Sequence, residues 1–362
     1  MAGGDENATT SEPAFTVDTT VGDLGERALI SVFTSAASTG TDRDIVIGSG
    51  DDAAVFDAGG PTVISTDTAV ERRHFRFDWS TPDQIGERAV IQSAADIAAM
   101  GARTVGVVVS IACPVTTRAS TVSGINDGVV AATHRLGGRV LGGDLVAADQ
   151  VVLTVTSVGA LDGLAPVALT GAQVGDVLAV SGPLGGAAAG LAVLLAAEST
   201  TEHGARLRAE HGARLRAEHG ARLRAEHGAV VDAYRLPTPD LSAGAQAARA
   251  GAHAMTDVSD GLIEELTTMS QASKVALAVD GSRVPRTAAT TRAADALGED
   301  ADIWALTGGE DHQLLAAFAP ADVPQGWTVI GSVEARTAER AEVSVDGADT
   351  RGLRGWQSFG RQ

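Results

Sequence analysis

The chain has 362 residues, 44% of them hydrophobic and 20% charged, and 46 acidic against 27 basic side chains give it a formal net charge of −19. That length suits about two globular domains with real cores, and the acid excess with only 3% aromatic residues excludes a nucleic-acid surface, which needs basic stripes and stacking rings. The only lysine, Lys274, follows Ser273, so neither a P-loop nor a protein-kinase strand lysine is present.

Residues 1–14 read as a disordered tail. The first twenty residues carry acids and no apolar run, which predicts no signal peptide. Strands are expected at 45–47, 62–65, 105–111 and 151–158. Between them a helix runs from Pro82, placed at a first helical position after Thr81, to a stop at Gly101. Another runs from about 125 to the Gly137-Gly138 pair. Cys113 is the only cysteine, which excludes an intrachain disulfide and a cysteine zinc site and suits a reducing cytoplasm.

Turn signals over 161–175 suggest a boundary between an N-terminal domain, 15–160, and a C-terminal domain, 161–362. The second half begins with a Gly-rich turn feeding an Ala/Leu helix over 181–198, too short an apolar run for a membrane span. A helix over 261–270 places Leu262, Ile263, Leu266 and Met269 at three- to four-residue spacing. Strands follow at 275–279 and 328–333. This alternation predicts an α/β chain of the mixed α+β kind, with sheets packed against helices.

Residues 201–229 repeat Ala-Glu-His-Gly-Ala-Arg-Leu-Arg with a period of eight. On a helix eight residues advance about 80° past two turns, so no stripe stays on the core. A glycine in each copy weakens a helix by roughly 1 kcal/mol. The segment, with His203, His211, His219 and His227, therefore reads as a solvated insert, and repetition alone accounts for the histidine spacing.

The informative feature is a series of aspartates in apolar or Gly-rich surroundings. They are Gly50-Asp51-Asp52-Ala53-Ala54, Ser65-Thr66-Asp67-Thr68, Asp96 within Ala95–Gly101, Gly142-Gly143-Asp144, Asp257-Val258-Ser259-Asp260-Gly261 and Gly308-Gly309-Glu310-Asp311-His312. Several are expected at the C-terminal ends of strands, where open α/β sheets place their sites. Asp96 is mid-helix, an awkward place for a charge without a partner. Each has an ordinary reading too: Asp51 or Asp52 in a turn, Asp260 as a helix N-cap, Gly142–Asp144 as a tight loop. Together they demand cations, since two carboxylates 4 Å apart repel by ~1 kcal/mol in water and ~4 at a protein-like dielectric. All-oxygen donors select a hard ion, Mg²⁺ first, which commonly bridges carboxylates to phosphates. Glycines that admit phosphate oxygens, and a helix N-terminus after Asp260, complete phosphoryl-transfer equipment without a Walker motif.

In this order the motifs resemble those of the thiamine-monophosphate kinase family, of the aminoimidazole ribonucleotide synthetase-like superfamily, from about Asp51 to the C-terminus, interrupted by the octapeptide insert. The resemblance implies a two-domain protein, usually a homodimer, that transfers the γ-phosphoryl group of ATP to thiamine monophosphate, giving thiamine diphosphate; the acid excess and the short apolar run leave neither nucleic acid nor a membrane as expected partner. Asp52, Ser65, Thr66, Asp67, Asp96, Asp144, Asp257 and Asp260 would then hold several Mg²⁺ ions, with Asp67 and Asp144 at the catalytic centre. Gly143, Asp144 and Ser259 would touch ATP. His74, Glu310 and Trp356 would contact the thiamine substrate. Read on their own, Trp356 is equally a packing anchor or a face for the thiazolium cation, and His74 stands in a basic patch with Arg72, Arg73 and Arg76. Two positions depart from the family: many relatives carry tyrosine where this chain has His312, and commonly arginine where it has Leu169. The alternatives are another ATP-dependent synthetase of the superfamily and a non-catalytic ATP–Mg²⁺ binding module.

Overall fold

The computed structural model describes residues 15–16, 18–37, 44–49, 53–202, 211–338, 341–346, 348–350 and 352–355. The expected tail at 1–14, Asp51, Asp52, His203 and Trp356 lie outside the described residues. The N-terminal half contains α1 (Val21–Leu24), α2 (Glu26–Ala37), β1 (Ile45–Ile47), β2 (Val55–Phe56), β3 (Thr62–Val70), α3 (Pro82–Ala99), β4 (Arg103–Cys113), α4 (Ala119–Arg135), β5 (Arg139–Ala147) and β6 (Val152–Ala160). After it come β7 (Val177–Val180), α5 (Gly186–Glu202), α6 (His211–Glu226), α7 (Gly228–Arg235), α8 (Ser242–Arg249), β8 (Ala254–Asp257), α9 (Leu262–Ser273), β9 (Ala276–Val279), α10 (Ala288–Leu297) and α11 (Ala301–Thr307). The strands β10 (Leu314–Phe318), β11 (Thr328–Glu334), β12 (Val343–Val345) and β13 (Ala348–Asp349) complete the chain. The fold is mixed α/β, as the alternation of patterns predicts.

Two sheets organise it. One has the order β3-β6-β4-β5, with the β4–β5 pair parallel and α4 as the crossover between them. The other runs β13-β12-β9-β11-β7-β10-β8 and is antiparallel except at β12–β9. Helix α3 lies between the sheets. Its Ser93 Oγ donates to Val155 O of β6 at 3.1 Å, while Ala94, Ala95, Ala98 and Ala99 pack against Met255, Leu314, Ala316 and Phe318 of the second sheet. Only small side chains let a helix be covered so closely on both sides. Its start is as expected: Pro82 opens the first turn and the Gln84 side chain caps the Thr81 N–H at 3.0 Å.

The strand bearing Ser65 continues to Val70, so Thr66 and Asp67 sit within a strand rather than at its end. Alternation extends it. Thr66 and Thr68 turn to one face, where their hydroxyls meet those of Thr156 and Thr154 at 2.9 Å each, a pairing that suits β-branched side chains. Gly142–Asp144 likewise belongs to a strand, β5, and not to a tight loop. In the repeat, residues 211–226 form a helix where the octad pattern predicts a solvated insert. Gly220 lets it approach α5, since a Cβ there would lie 2.8 Å from Ala197 O, and Leu223 joins the small cluster around Val193, Val230 and Tyr234. The two contacts supply locally what the eight-residue period denies along its length.

Candidate active site

One edge of α3, between its two packed faces, carries a polar residue every fourth position: Arg88, Gln92 and Asp96. Such spacing puts all three on one stripe. Asp96 meets β3, where Ser65 Oγ donates a short hydrogen bond to its Oδ2. Asp67, two residues on, shares that face of β3. From the other sheet come Asp257, at the end of β8, and the loop Ser259-Asp260-Gly261 that leads into α9. The Gly308–His312 segment before β10 closes the group. Glu310 donates its N–H to Ser259 O at 2.7 Å, and a Cβ on Gly309 would fall 2.4 Å from the same oxygen. Glu310 and His312 both take positive φ, 71° and 53°, a conformation that costs non-glycine residues energy and recurs at functional sites.

The electrostatics are those of crowded acids. Burial, then the charge of Asp96 with further contributions from Asp257 and Glu310, pushes Asp67 up to about 6 against the pull of His312. Burial and Asp257 raise Asp96, although the Ser65 hydrogen bond opposes this. Asp260 is raised by burial, Glu310 and Asp257. His312 is the counter-charge: burial works against it, yet Asp257, whose Oδ2 lies 3.0 Å from Nδ1, and Glu310 bring it up to about 10. Burial likewise opposes ionisation of Glu310, but Arg88 and His312 hold it well below the usual carboxylate range. Two domains thus bring Ser65, Asp67, Asp96, Asp257, Asp260 and Glu310 into one field.

His74 stands at the rim of this group. Its Nδ1 accepts from the Val70 N–H at 3.0 Å, and burial lowers its pKa although Glu310 pulls the other way. His74 and Glu310 share a cavity of about 630 Å³ with Arg88, Trp79, Tyr234 and Trp304. Gly355, the residue before Trp356, lines the same cavity and donates its N–H to Glu264 at 3.0 Å. A larger cavity, about 720 Å³ between α3, α4 and residues 236–249, holds none of the expected site residues.

Thr66 and Asp144 are not brought to this group within one chain. Strand pairing aligns Thr68, Thr154, Ser110 and Asp144 across the sheet, so Asp144 shares the outer face with Thr66 while Asp67 faces α3. Three strand spacings, about 14 Å, separate β3 from β5. Gly143 lines a separate cavity of about 200 Å³ with Phe33, Ser49 and Asn126. Ser259 is within the acid group, its Oγ donating to Glu265 at 3.2 Å. Asp260 is not a helix cap, since Gly261 occupies that position. Leu169 lies in a single 3₁₀ turn and packs on the core of the second sheet.

Sequence reasoning missed Arg88, Gln92 and Glu265. Glu265 takes the Ser259 hydroxyl and the Asp260 N–H, and burial pushes it up to about 7. The four-residue spacing from Arg88 to Asp96 was the signal available for the first two. Among the described residues no three acid, histidine or cysteine side chains stand close enough to hold one metal ion. The donors are nevertheless all hard oxygens whose mutual repulsion calls for a cation, so the residues present suit Mg²⁺ in chemistry.

Residues 50–161 match the family described as AIR synthase related protein, N-terminal domain, and residues 173–344 match its C-terminal domain. The chain is 43% identical over 318 residues to the thiamine-monophosphate kinase of Mycobacterium tuberculosis, covering 87% of this chain and 86% of that one. It is 38% identical over 346 residues to the Corynebacterium glutamicum enzyme of the same name, covering 94% and 95%. A solved structure described as AaThiL complexed with AMPPCP and TMP superimposes with a TM-score of 0.71 at 25% identity, covering 93% of this chain and 98% of that one. The thiamine-monophosphate kinase of Stenotrophomonas maltophilia gives 0.70 at 29% identity, covering 88% and 96%.

Proposed function

The chain belongs to the AIR synthase related family and, within it, to the thiamine-monophosphate kinases, and on that premise we propose how its residues divide the work. The reaction is ATP-dependent phosphorylation of thiamine monophosphate. The observation that supports the assignment is the convergence of Asp67 on β3 and Asp96 on α3, from the N-terminal half, with Asp257, Asp260 and Glu310 at the ends of β8, α9 and β10, from the C-terminal half.

Mg²⁺ would be held by Ser65, Asp67, Asp96, Asp257 and Asp260, with Asp52, Thr66 and Asp144 completing the set. When bound it neutralises phosphate charge and aligns donor and acceptor. The acceptor is a phosphate oxygen already ionised near neutral pH, so no general base is needed. What the chain itself must do is orient. Asp67 is fixed by its strand and Asp96 by its helix, and Ser65, two residues before Asp67 on that strand, donates to Asp96. Ser259 and Gly143 serve the nucleotide. Glu310, kept ionised by Arg88, offers a negative charge to the thiazolium, and His74, Trp356 and the ring-lined cavity take the rest of the thiamine.

The homodimer forms through the outer face of the four-stranded sheet, where Ile64, Val108 and Val146 are 65%, 41% and 45% exposed. No helix among the described residues is long and apolar enough to cross a membrane; cytoplasmic residence is part of this reading. The test is ADP release that requires thiamine monophosphate and ceases with a chelator. Activity that persists in EDTA overturns the Mg²⁺ assignment. Calorimetric binding of ATP–Mg²⁺ without any ADP release favours a non-catalytic module instead.

A further inference from the structure

We propose that Arg88 and Gln92 are positioning residues for the acceptor substrate: one turn apart on α3, they clamp one oxygen of Glu310 and leave the other to receive the cationic ring. The inference rests on the kinase reading above and adds to it the groups that give Glu310 its direction.

Arg88 Nη2 lies 2.8 Å from Glu310 Oε2, and Gln92 Nε2 donates to the same oxygen at 2.9 Å. His312 Nε2 is 3.6 Å from it, outside hydrogen-bond reach. Among the described residues no hydrogen bond reaches Oε1. The Glu310 side chain is 28% exposed where that of Arg88 is 6% exposed, so the carboxylate opens to the cavity and its clamp does not. Arg88 is itself held, its guanidinium 4.8 Å from the Tyr234 ring centroid. The left-handed backbone at Glu310 and its N–H bond to Ser259 pin the main chain. Without the clamp, however, three side-chain torsions would remain to be ordered when substrate binds, an entropy cost that weakens affinity.

A carboxylate with one lone-pair edge saturated and the other open selects a permanently cationic acceptor. It offers nothing comparable to a phosphate monoester of the same size whose organic group carries no charge. Both donors come from the N-terminal half of the chain and Glu310 from the C-terminal half, so the clamp also ties the acceptor pocket to the helix that carries Asp96.

The experiment is steady-state kinetics on the full chain with each substrate varied in turn. Gln92→Leu removes one donor and leaves the Arg88–Glu310 pair in place. It should raise KM for thiamine monophosphate about tenfold, with kcat and KM for ATP within about twofold. Gln92→Glu, which sets a like charge beside Glu310, should raise it further. Arg88→Lys should lie between the wild type and Gln92→Glu, and a melting curve checks that each variant is folded. An unchanged KM for thiamine monophosphate in folded Gln92→Leu, or an equal rise for both substrates, overturns the clamp while the kinase reading stands. Absence of turnover in the unaltered chain overturns the kinase reading and the clamp with it.

Discussion

His312 Nδ1 lies 3.0 Å from Asp257 Oδ2, and both residues are less than a tenth exposed. The pair joins the loop before β10 to the end of β8. It also puts a buried positive charge against a carboxylate that the catalytic reading assigns to metal. Removing one member of a buried pair strands the other, at a cost of roughly 3–5 kcal/mol. His312→Ala should therefore lower unfolding free energy by about 3 kcal/mol in urea titrations with EDTA present. His312→Tyr, which restores a donor, should lose less. Equal stability of wild type and His312→Ala would show that the pair holds nothing.

Asp67 points the other way. Its ionised form is crowded by Asp96, Asp257 and Glu310, so Asp67→Asn relieves repulsion in the metal-free protein. We expect the variant to be more stable than wild type in EDTA, by about 1 kcal/mol after solvent screening. Turnover should fall by at least about a hundredfold. Loss of both stability and activity would mark Asp67 as an ordinary structural residue.

Asp311 links stability to pH. It accepts the N–H groups of Gly185 at 2.6 Å and Ala187 at 2.9 Å, but burial outweighs these bonds and raises it from 3.8 to about 6. The folded chain then keeps this proton to higher pH than the unfolded chain does. Stability from this group is present below its unfolded pKa and is lost as pH climbs from about 4 through 6, by roughly 2–3 kcal/mol. Asp311→Asn, compared with wild type in denaturant titrations across pH 4–7 with EDTA, should have a shallower slope in that window. Parallel slopes would exclude Asp311 as a source.

How far these features were legible follows from the kind of signal each leaves. Helix α3 and the α9 face announce themselves through Pro82, Gly101 and the Leu262–Met269 spacing, because local chain chemistry suffices. Asp96 was legible as a charge needing a partner, and Ser65 supplies one. Arg88 and Gln92 were not, since a polar residue every fourth position on an Ala-rich helix also describes a solvent face. Only the second sheet, packed on the alanines beside them, turns that stripe into a wall of the site. Helix α6 was hidden because its eight-residue period presents no continuous stripe, while the contacts that hold it, at Gly220 and Leu223, depend on a neighbour.

The placement of Asp144 yields the last prediction. It lies on the outer face of the four-stranded sheet, in register with Ser110, Thr154 and Thr68, whereas Asp67 faces α3. β3 and β5 are the two edges of that sheet, so a twofold copy that runs its β5 along this chain's β3 is able to bring Asp144 of one chain to the strand that carries Asp67 in the other. Sedimentation should then report twice the chain mass, and Ile64→Asp, a charge at a position now 65% exposed within an apolar patch, should halve it. Complementation separates shared from unshared sites. Asp67→Asn and Asp144→Asn chains, each inactive alone, form half heterodimers when unfolded and refolded together. With sites built across the interface each heterodimer has one intact site, and activity returns to about a quarter of wild type. With both residues drawn from the same chain no intact site forms, and the mixture stays inactive.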